Sequence, residues 1–584
     1  MKKTLKFCLA SCISLALTVP AVQAVPWTHY DQNPEHTPVT LPNGAVADLG
    51  GLAKLAQVTR TQGEVRAEQI AENVHMIYGV FYGPAIIERP NGLIVFNTGE
   101  HVEDGELFRK IIREQISEKP ILAVFYDHSH YAKGTTTLLD GDDAIVGGHP
   151  DTNAIMAAAE GLANPNIAEM GVVLNARSDI HFSAYVPKEG ADAPAAGADL
   201  DFSKPSGFMP VDTPLAHGEE IVIDGLKIQA LHEVTDAQDT ITYWIPELEV
   251  VVDNAMWPVY NMYTLRGDRY RSPKEWMASI RTIRDLEPEI VLNTGGGATA
   301  YVGKQNVIDS ANALHDGMAF IYDQSIRLTN KGIKPEELRH HIEMPESLVA
   351  FDVVNEGYGQ WDSFPQAFPL ENQGWFSGYA EDMHSLPAKE KAKRTVEFMG
   401  GEERVFKEFK RAFEATELLW AKDLMVDLYY IDPANETYRQ SLADTFRALG
   451  QRSPGSIVRN FYLSGARSLE GDESVTITGV ESAKWISADV SRAVNHLRVR
   501  ILPEAAAGLD HVIAFNIDGE SAGLHVRNSI AEFVANPAEH YKKPDVTIKL
   551  TTEEFIDYFQ GRKTVKGLEM FDTYQHVPMY PTSR

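Results

Sequence analysis

The sequence predicts an α/β domain followed by an all-α region and a small α+β unit. Three observations carry this: short apolar runs between turn residues from 70 to 300, helical periodicity from 335 to about 450, and alternation beyond 470. In the first region, residues 92–96, 121–126, 249–252 and 289–292 are apolar nearly throughout, which suits strands covered on both faces. Helical patterns at 106–116 and 273–284 fall between them, so the layout alternates strand and helix. In the second region, 390–399 reads as a helix, and 417–430 stops before Asp432-Pro433 because the proline ring blocks continuation. A third helix, 435–449, ends at Gly450 and completes a hairpin. In the third region, strands are expected at 512–518, 524–526 and 546–550, and a capping box of Thr551 with Glu554 opens a helix through Phe555, Ile556 and Phe559. A chain of 584 residues exceeds what one core usually serves. The expected domains are 25–332, 333–469 and 470–584.

Hydrophobic residues make up 44% and charged residues 23%, which is ordinary globular material with no case for extended disorder. The formal net charge of −29 repels phosphate backbones and argues against nucleic-acid binding, although solubility alone would account for it. Residues 1–24 read as a secretory leader: Lys2 and Lys3, an apolar stretch from Phe7 to Val22, and small residues flanking Gln23. This implies export to the periplasm or beyond; the alternative is an N-terminal membrane anchor. Both cysteines, Cys8 and Cys12, lie in the leader, so the mature chain has neither disulfides nor thiolate ligands. No later run reaches the roughly 20 apolar residues that a membrane span needs.

The segment Val124-Phe125-Tyr126-Asp127-His128-Ser129-His130-Tyr131-Ala132-Lys133-Gly134 carries the chemistry. A buried strand ending in His-x-His places two imidazoles where alternate residues converge on one ion. Alone, such a pair is as readily satisfied or solvated as it is ligating.

Residues 235–271 sharpen the reading. Thr235-Asp236-Ala237-Gln238, Tyr243-Trp244-Ile245-Pro246, Val252-Asp253-Asn254 and Asn261-Met262-Tyr263-Thr264-Leu265-Arg266-Gly267 resemble the alkylsulfatases of the metallo-β-lactamase superfamily. The resemblance continues through 322–328, 345–348, 397–401 and 459–466. It implies an αββα sandwich, a helical dimerisation domain, a C-terminal domain similar to sterol carrier proteins, a dinuclear zinc site, and hydrolysis of alkyl sulfate esters by a homodimer. His128 and His130 match the family's first-metal histidines, Asp236 stands where the family has a glutamate ligand, and Asp253 matches the bridging carboxylate. The second metal has lost its donors. The family pattern His-x-His-x-Asp-His ends here in Ala132 and Lys133, and the later histidine position falls in Gly295-Gly296-Gly297.

Two histidines and two carboxylates still suffice for one ion. Zinc is expected, and iron or manganese suits the same donors. An open position on such an ion would hold a water and lower its pKa toward neutrality. Lys133 then has two readings. Its ammonium replaces the missing second cation, or it pairs with a carboxylate that no longer binds metal. Arg266, with Asn261 and Tyr263, is expected to bind the sulfate of an amphiphilic substrate, the alternative for Arg266 being a structural ion pair. His232 and Glu233 are substitute ligands if the loop shifts register, and His149, His181 and His217 are expected on loops without a role. The C-terminal strands line either a groove for an alkyl chain or an ordinary filled core. The resulting expectation is a metal-dependent hydrolase of alkyl sulfate esters or similar amphiphilic anionic esters. The alternative is a catalytically silent homologue that binds an amphiphile or a protein partner.

Overall fold

A computed structural model describes residues 38–48, 51, 64–158, 168–195, 204–258, 261–268, 270–354 and 356–583. Residues 1–24, expected to be a leader, lie outside the described residues, as do Cys8 and Cys12.

Two sheets form the first domain. One has seven strands in chain order, from Arg66–Ala71 to Thr213–Pro214; the other has six in chain order, from Glu220–Ile223 to Thr299–Val302. The pairing turns parallel where Leu93–Phe96 meets Ile121–Phe125, and again where Val250–Asp253 meets Ile290–Asn293. A parallel step needs a crossover, and these are the helices Val102–Gln115 and Pro273–Asp285. The second helix starts where Ser272 accepts a hydrogen bond from the Glu275 amide and Pro273 occupies the first turn. The first begins a turn earlier than its apolar period suggests. Its opening turn is polar, with Glu103 and Asp104 placed where the helix dipole favours negative charge.

The continuous apolar runs are explained by what covers each face. Ile94, Phe96, Ala123 and Phe125 point inward and share a core with Tyr243, Val250, Val252 and Leu292 of the other sheet. Their neighbours Val95, Val124, Val251 and Val291 point outward under the helices, with Phe108, Ile112, Trp276 and Ile280. The domain is an αββα sandwich with two cores. At about 25 cal/mol per Å² of apolar surface, each fully buried side chain of this size contributes about 2 kcal/mol.

The 26-residue helix Lys304–Thr329 follows. Periodicity did not single it out, because its buried face mixes Ser310, Ala311, Gly317 and Ser325 with larger residues. The helical region then includes Ala388–Phe398, Glu402–Glu414, Leu418–Ile431, Glu436–Arg452 and Ser456–Leu469. Leu424 and Leu428 of the third share a core with Leu442 and Phe446 of the fourth, as the expected hairpin requires. Beyond it stands a four-stranded sheet, in order Ile530–Val534, Glu520–Arg527, Asp510–Ile517, Val546–Leu550. The helix Thr552–Phe559 packs on it behind the predicted capping box. Phe515, Leu524, Val526, Phe555 and Phe559 bury one another there as a filled core.

Candidate metal centre

His128 leaves the strand Ile121–Phe125 in extended conformation and caps a single 3-10 turn, Ser129–Tyr131. That turn folds His130 back beside it, with ring centroids 4.7 Å apart. Asp236 arrives from the loop between Leu226–Glu233 and Thr240–Ile245. One ligand atom from each of His128, His130 and Asp236 lies within 4.8 Å of the others, the one such grouping among the described residues. His130 Nδ1 is 3.2 Å and His128 Nε2 is 4.0 Å from Asp236 Oδ2. His128 Nε2 is buried without a hydrogen-bond partner, a costly state unless something else approaches it.

The electrostatics describe a site built for a cation. Burial opposes charge on His128, but Asp127 and Asp236 outweigh it and raise its pKa to about 9. Burial likewise opposes ionisation of Asp236, yet His128, His130 and Arg271 hold its carboxyl far below the usual carboxylate range. Two imidazoles and a carboxylate with an orphaned ring nitrogen form a donor set that fits a divalent ion of the zinc type.

Several expectations are corrected by the geometry. Asp253 does not join the grouping. Its Oδ2 is taken by the amides of Ala255 and Met256, and its Oδ1 is buried without a partner. Burial, with Asp127 nearby, pushes Asp253 up to about 7. Lys133 does not stand as a free second cation. Its Nζ is 2.7 Å from Glu100 Oε2, and the Glu100 side chain is almost wholly buried. Arg266 makes the ion pair given as its alternative, with Asp268 Oδ2 at 2.5 Å. His181 is not on a loop. It ends the helix Gly171–His181, is buried, and its Nε2 is 2.8 Å from the Tyr358 hydroxyl. His232 is held by the Leu215 carbonyl at 2.7 Å, and His217 Nδ1 accepts its amide. Neither His232 nor Glu233 belongs to the grouping.

Sequence reasoning missed Arg271. It is buried, its Nη2 lies 3.9 Å from Asp236 Oδ2, its Nη1 donates to the Asn261 carbonyl, and its Nε has no partner. The one sequence signal was a further arginine in the loop that holds Arg266. Beside it both amide atoms of Asn261 and the hydroxyl of Thr264 are buried without partners. A cavity of about 430 Å³ opens from Arg271, lined by Met262, Tyr263, Tyr270 and Leu370, with the carboxylates Asp268 and Glu371 also in its wall. Asn261 and Tyr263, expected to act with Arg266, sit near Arg271, while Arg266 is engaged by Asp268.

The lost second set of ligands has a packing counterpart. A Cβ on Gly295 would lie 1.6 Å from Asn254 Oδ1, and one on Gly296 would lie 2.8 Å from the Trp257 ring. Asn254 in turn donates to Asp236 Oδ1 at 2.6 Å and accepts from Trp257 Nε1 at 2.7 Å. The glycine run is therefore the floor on which Asn254 and Trp257 rest.

Known proteins resemble this chain in sequence and in fold. Residues 334–472 match the family described as Alkyl sulfatase dimerisation. A linear primary-alkylsulfatase from Pseudomonas sp. is 28% identical over 495 residues, covering 80% of this chain and 90% of that one. An (R)-specific secondary-alkylsulfatase, also from Pseudomonas sp., is 24% identical over 503 residues, covering 82% and 73%. Among solved structures, the stereoselective inverting sec-alkylsulfatase Pisa1 from Pseudomonas sp. shares the fold, with a TM-score of 0.69 at 19% identity, covering 93% of this chain and 92% of that one. The chain thus carries an alkyl sulfatase dimerisation region, is similar over most of its length to alkylsulfatases, and shares the fold of one of them.

Proposed function

We propose that this chain hydrolyses sulfate esters of amphiphilic alcohols, ester plus water giving alcohol plus hydrogen sulfate, at a site holding one divalent ion, zinc by preference. The observation that carries the reading is the convergence of His128, His130 and Asp236 beside a buried guanidinium that opens into a largely apolar cavity. When bound, the ion supplies Lewis acidity and an activated water. The chain's own residues do the rest. His128, His130 and Asp236 hold the ion. Arg271 offers paired donors to the sulfate. The unpartnered Asn261 amide and Thr264 hydroxyl add further hydrogen bonds, and the cavity shields the alkyl chain from water. One ion rather than two follows from Ala132, from the engaged Lys133, and from the packing of Gly295 and Gly296.

We further propose that the protein is an exported homodimer, consistent with the leader and with exposed apolar side chains on the helical region, among them Phe398 at 93% and Trp375 at 75% exposure. Purified protein is expected to carry about one metal per chain and to release inorganic sulfate from dodecyl sulfate, with loss of turnover on chelation and recovery with zinc. Bound metal without turnover would leave an amphiphile-binding homologue instead; absence of both metal and turnover would overturn the reading.

A further inference from the structure

Asp127 is wholly buried, adjoins a ligand, and has no part in the mechanism above. Its Oδ1 lies 2.5 Å from His128 Nδ1. Its Oδ2 accepts from Asn97 Nδ2 at 2.6 Å and from Thr294 Oγ1 at 2.5 Å, and its amide donates to Asn97 Oδ1 at 3.1 Å. Three strand ends thus meet on one carboxylate. Asn97 follows Leu93–Phe96, Asp127 follows Ile121–Phe125, and Thr294 follows Ile290–Asn293, so both sheets contribute. Asn97 has φ 66°, a left-handed conformation that asparagine tolerates better than most residues. Here it turns the asparagine amide back onto Asp127.

With Oδ2 held by two donors, the carboxylate cannot swing away, and Oδ1 stays on the imidazole. Nδ1 is therefore the ring nitrogen engaged by the carboxylate, at 2.5 Å from Oδ1. Nε2 is then the ring nitrogen left to coordinate, and it points toward Asp236 with no hydrogen-bond partner. We infer that Asp127 is a positioning residue: clamped by Asn97 and Thr294, it fixes the His128 ring and its tautomer so that Nε2 presents its lone pair to the metal. Partners of this kind behind a ligating histidine typically set metal affinity by about 10- to 100-fold.

The inference rests on His128, His130 and Asp236 being the metal site, and its test reads metal rather than turnover. Full-length wild type and Asp127→Asn are titrated with zinc against a chromogenic chelator, and their cobalt-substituted forms are compared by visible absorption. An amide at 127 must turn its NH2 either toward the ring hydrogen or toward the two donors. Affinity is therefore expected to fall by about 10-fold or more, with a shifted cobalt spectrum, in protein whose circular dichroism is unchanged. Thr294→Val keeps the carboxylate and removes one donor, and is expected to weaken binding severalfold in the same direction. Folded Asp127→Asn with wild-type affinity and spectrum would overturn the inference. If that variant does not fold, wild-type affinity in Thr294→Val does so. Wild type that binds no metal would instead bring down the metal-site reading itself.

Discussion

Lys133 is the partner of a buried carboxylate, and Arg271 is the cation beside Asp236. An ammonium 2.7 Å from a buried carboxylate is committed to it, and removing one member of such a pair leaves the other uncompensated, at about 3 to 5 kcal/mol. Lys133→Ala is therefore expected to lower unfolding stability by about 3 kcal/mol, and Lys133→Met combined with Glu100→Gln to recover most of it. Urea titrations of the single and double variants check this. Sulfate release by the double variant should stay within a few-fold of wild type. Arg271 is the guanidinium that faces Asp236 and the cavity. Arg271→Leu should raise KM for dodecyl sulfate by about 10-fold or more, the scale of one charge-assisted hydrogen bond. Its metal content need not match wild type, because Arg271 also helps keep Asp236 ionised; metal analysis of the same preparation separates the two effects.

Turns and loops between elements shape the site as much as the side chains they carry. Gly295 and Gly296 have no room for a Cβ against Asn254 and Trp257, and Asn254 holds Asp236. Gly295→Ala is expected to displace the Asn254 amide and so weaken zinc binding as well as stability, measured by chelator competition and by thermal unfolding. On the segment before the 3-10 turn Trp361–Ser363, Glu356 is partly exposed and accepts from the Trp361 amide at 2.9 Å. Desolvation and the neighbouring Asp362 raise its carboxyl to about 8, from an ordinary 4.5. The folded chain therefore holds this proton where the unfolded chain has released it. Its contribution to stability is fully present below the ordinary value and is lost as pH rises toward the raised one. Thermal midpoints of wild type should fall between about pH 5 and pH 8 relative to those of Glu356→Gln, which has no proton to lose. Parallel curves for the two proteins would remove Glu356 as a source of the slope.

At the scale of the whole molecule, the helical region does two things. It fixes the sandwich, since the buried guanidinium of Arg459 donates to the carbonyls of Ala191 and Ala193 and the Asn460 amide donates to the carbonyl of His181. It also leaves large apolar side chains in water, Phe398 and Trp420 among them. In the homodimer proposed above, exposed apolar groups of this size belong to the contact surface. Phe398→Glu with Trp420→Glu should shift the mass measured by light scattering from two chains toward one, while metal content per chain is retained.

How far these features could be read in advance follows from how local their causes are. The strands at 93–96, 121–125, 250–253 and 290–293, the crossover helix from Pro273, and the capping box at Thr551 depend on apolar period, a proline and a side-chain cap, all set by neighbours in the chain. The approach of His128 to His130 is local too, because one 3-10 turn brings them together. The partnership of Lys133 with Glu100, the exclusion of Asp253, and the placing of Arg271 against Asp236 span 33, 17 and 35 residues or more of chain. No periodicity records such contacts. They arise where two sheets and a long loop close over a buried volume, and there the competition for hydrogen bonds and charge partners selects which of several plausible side chains faces the site.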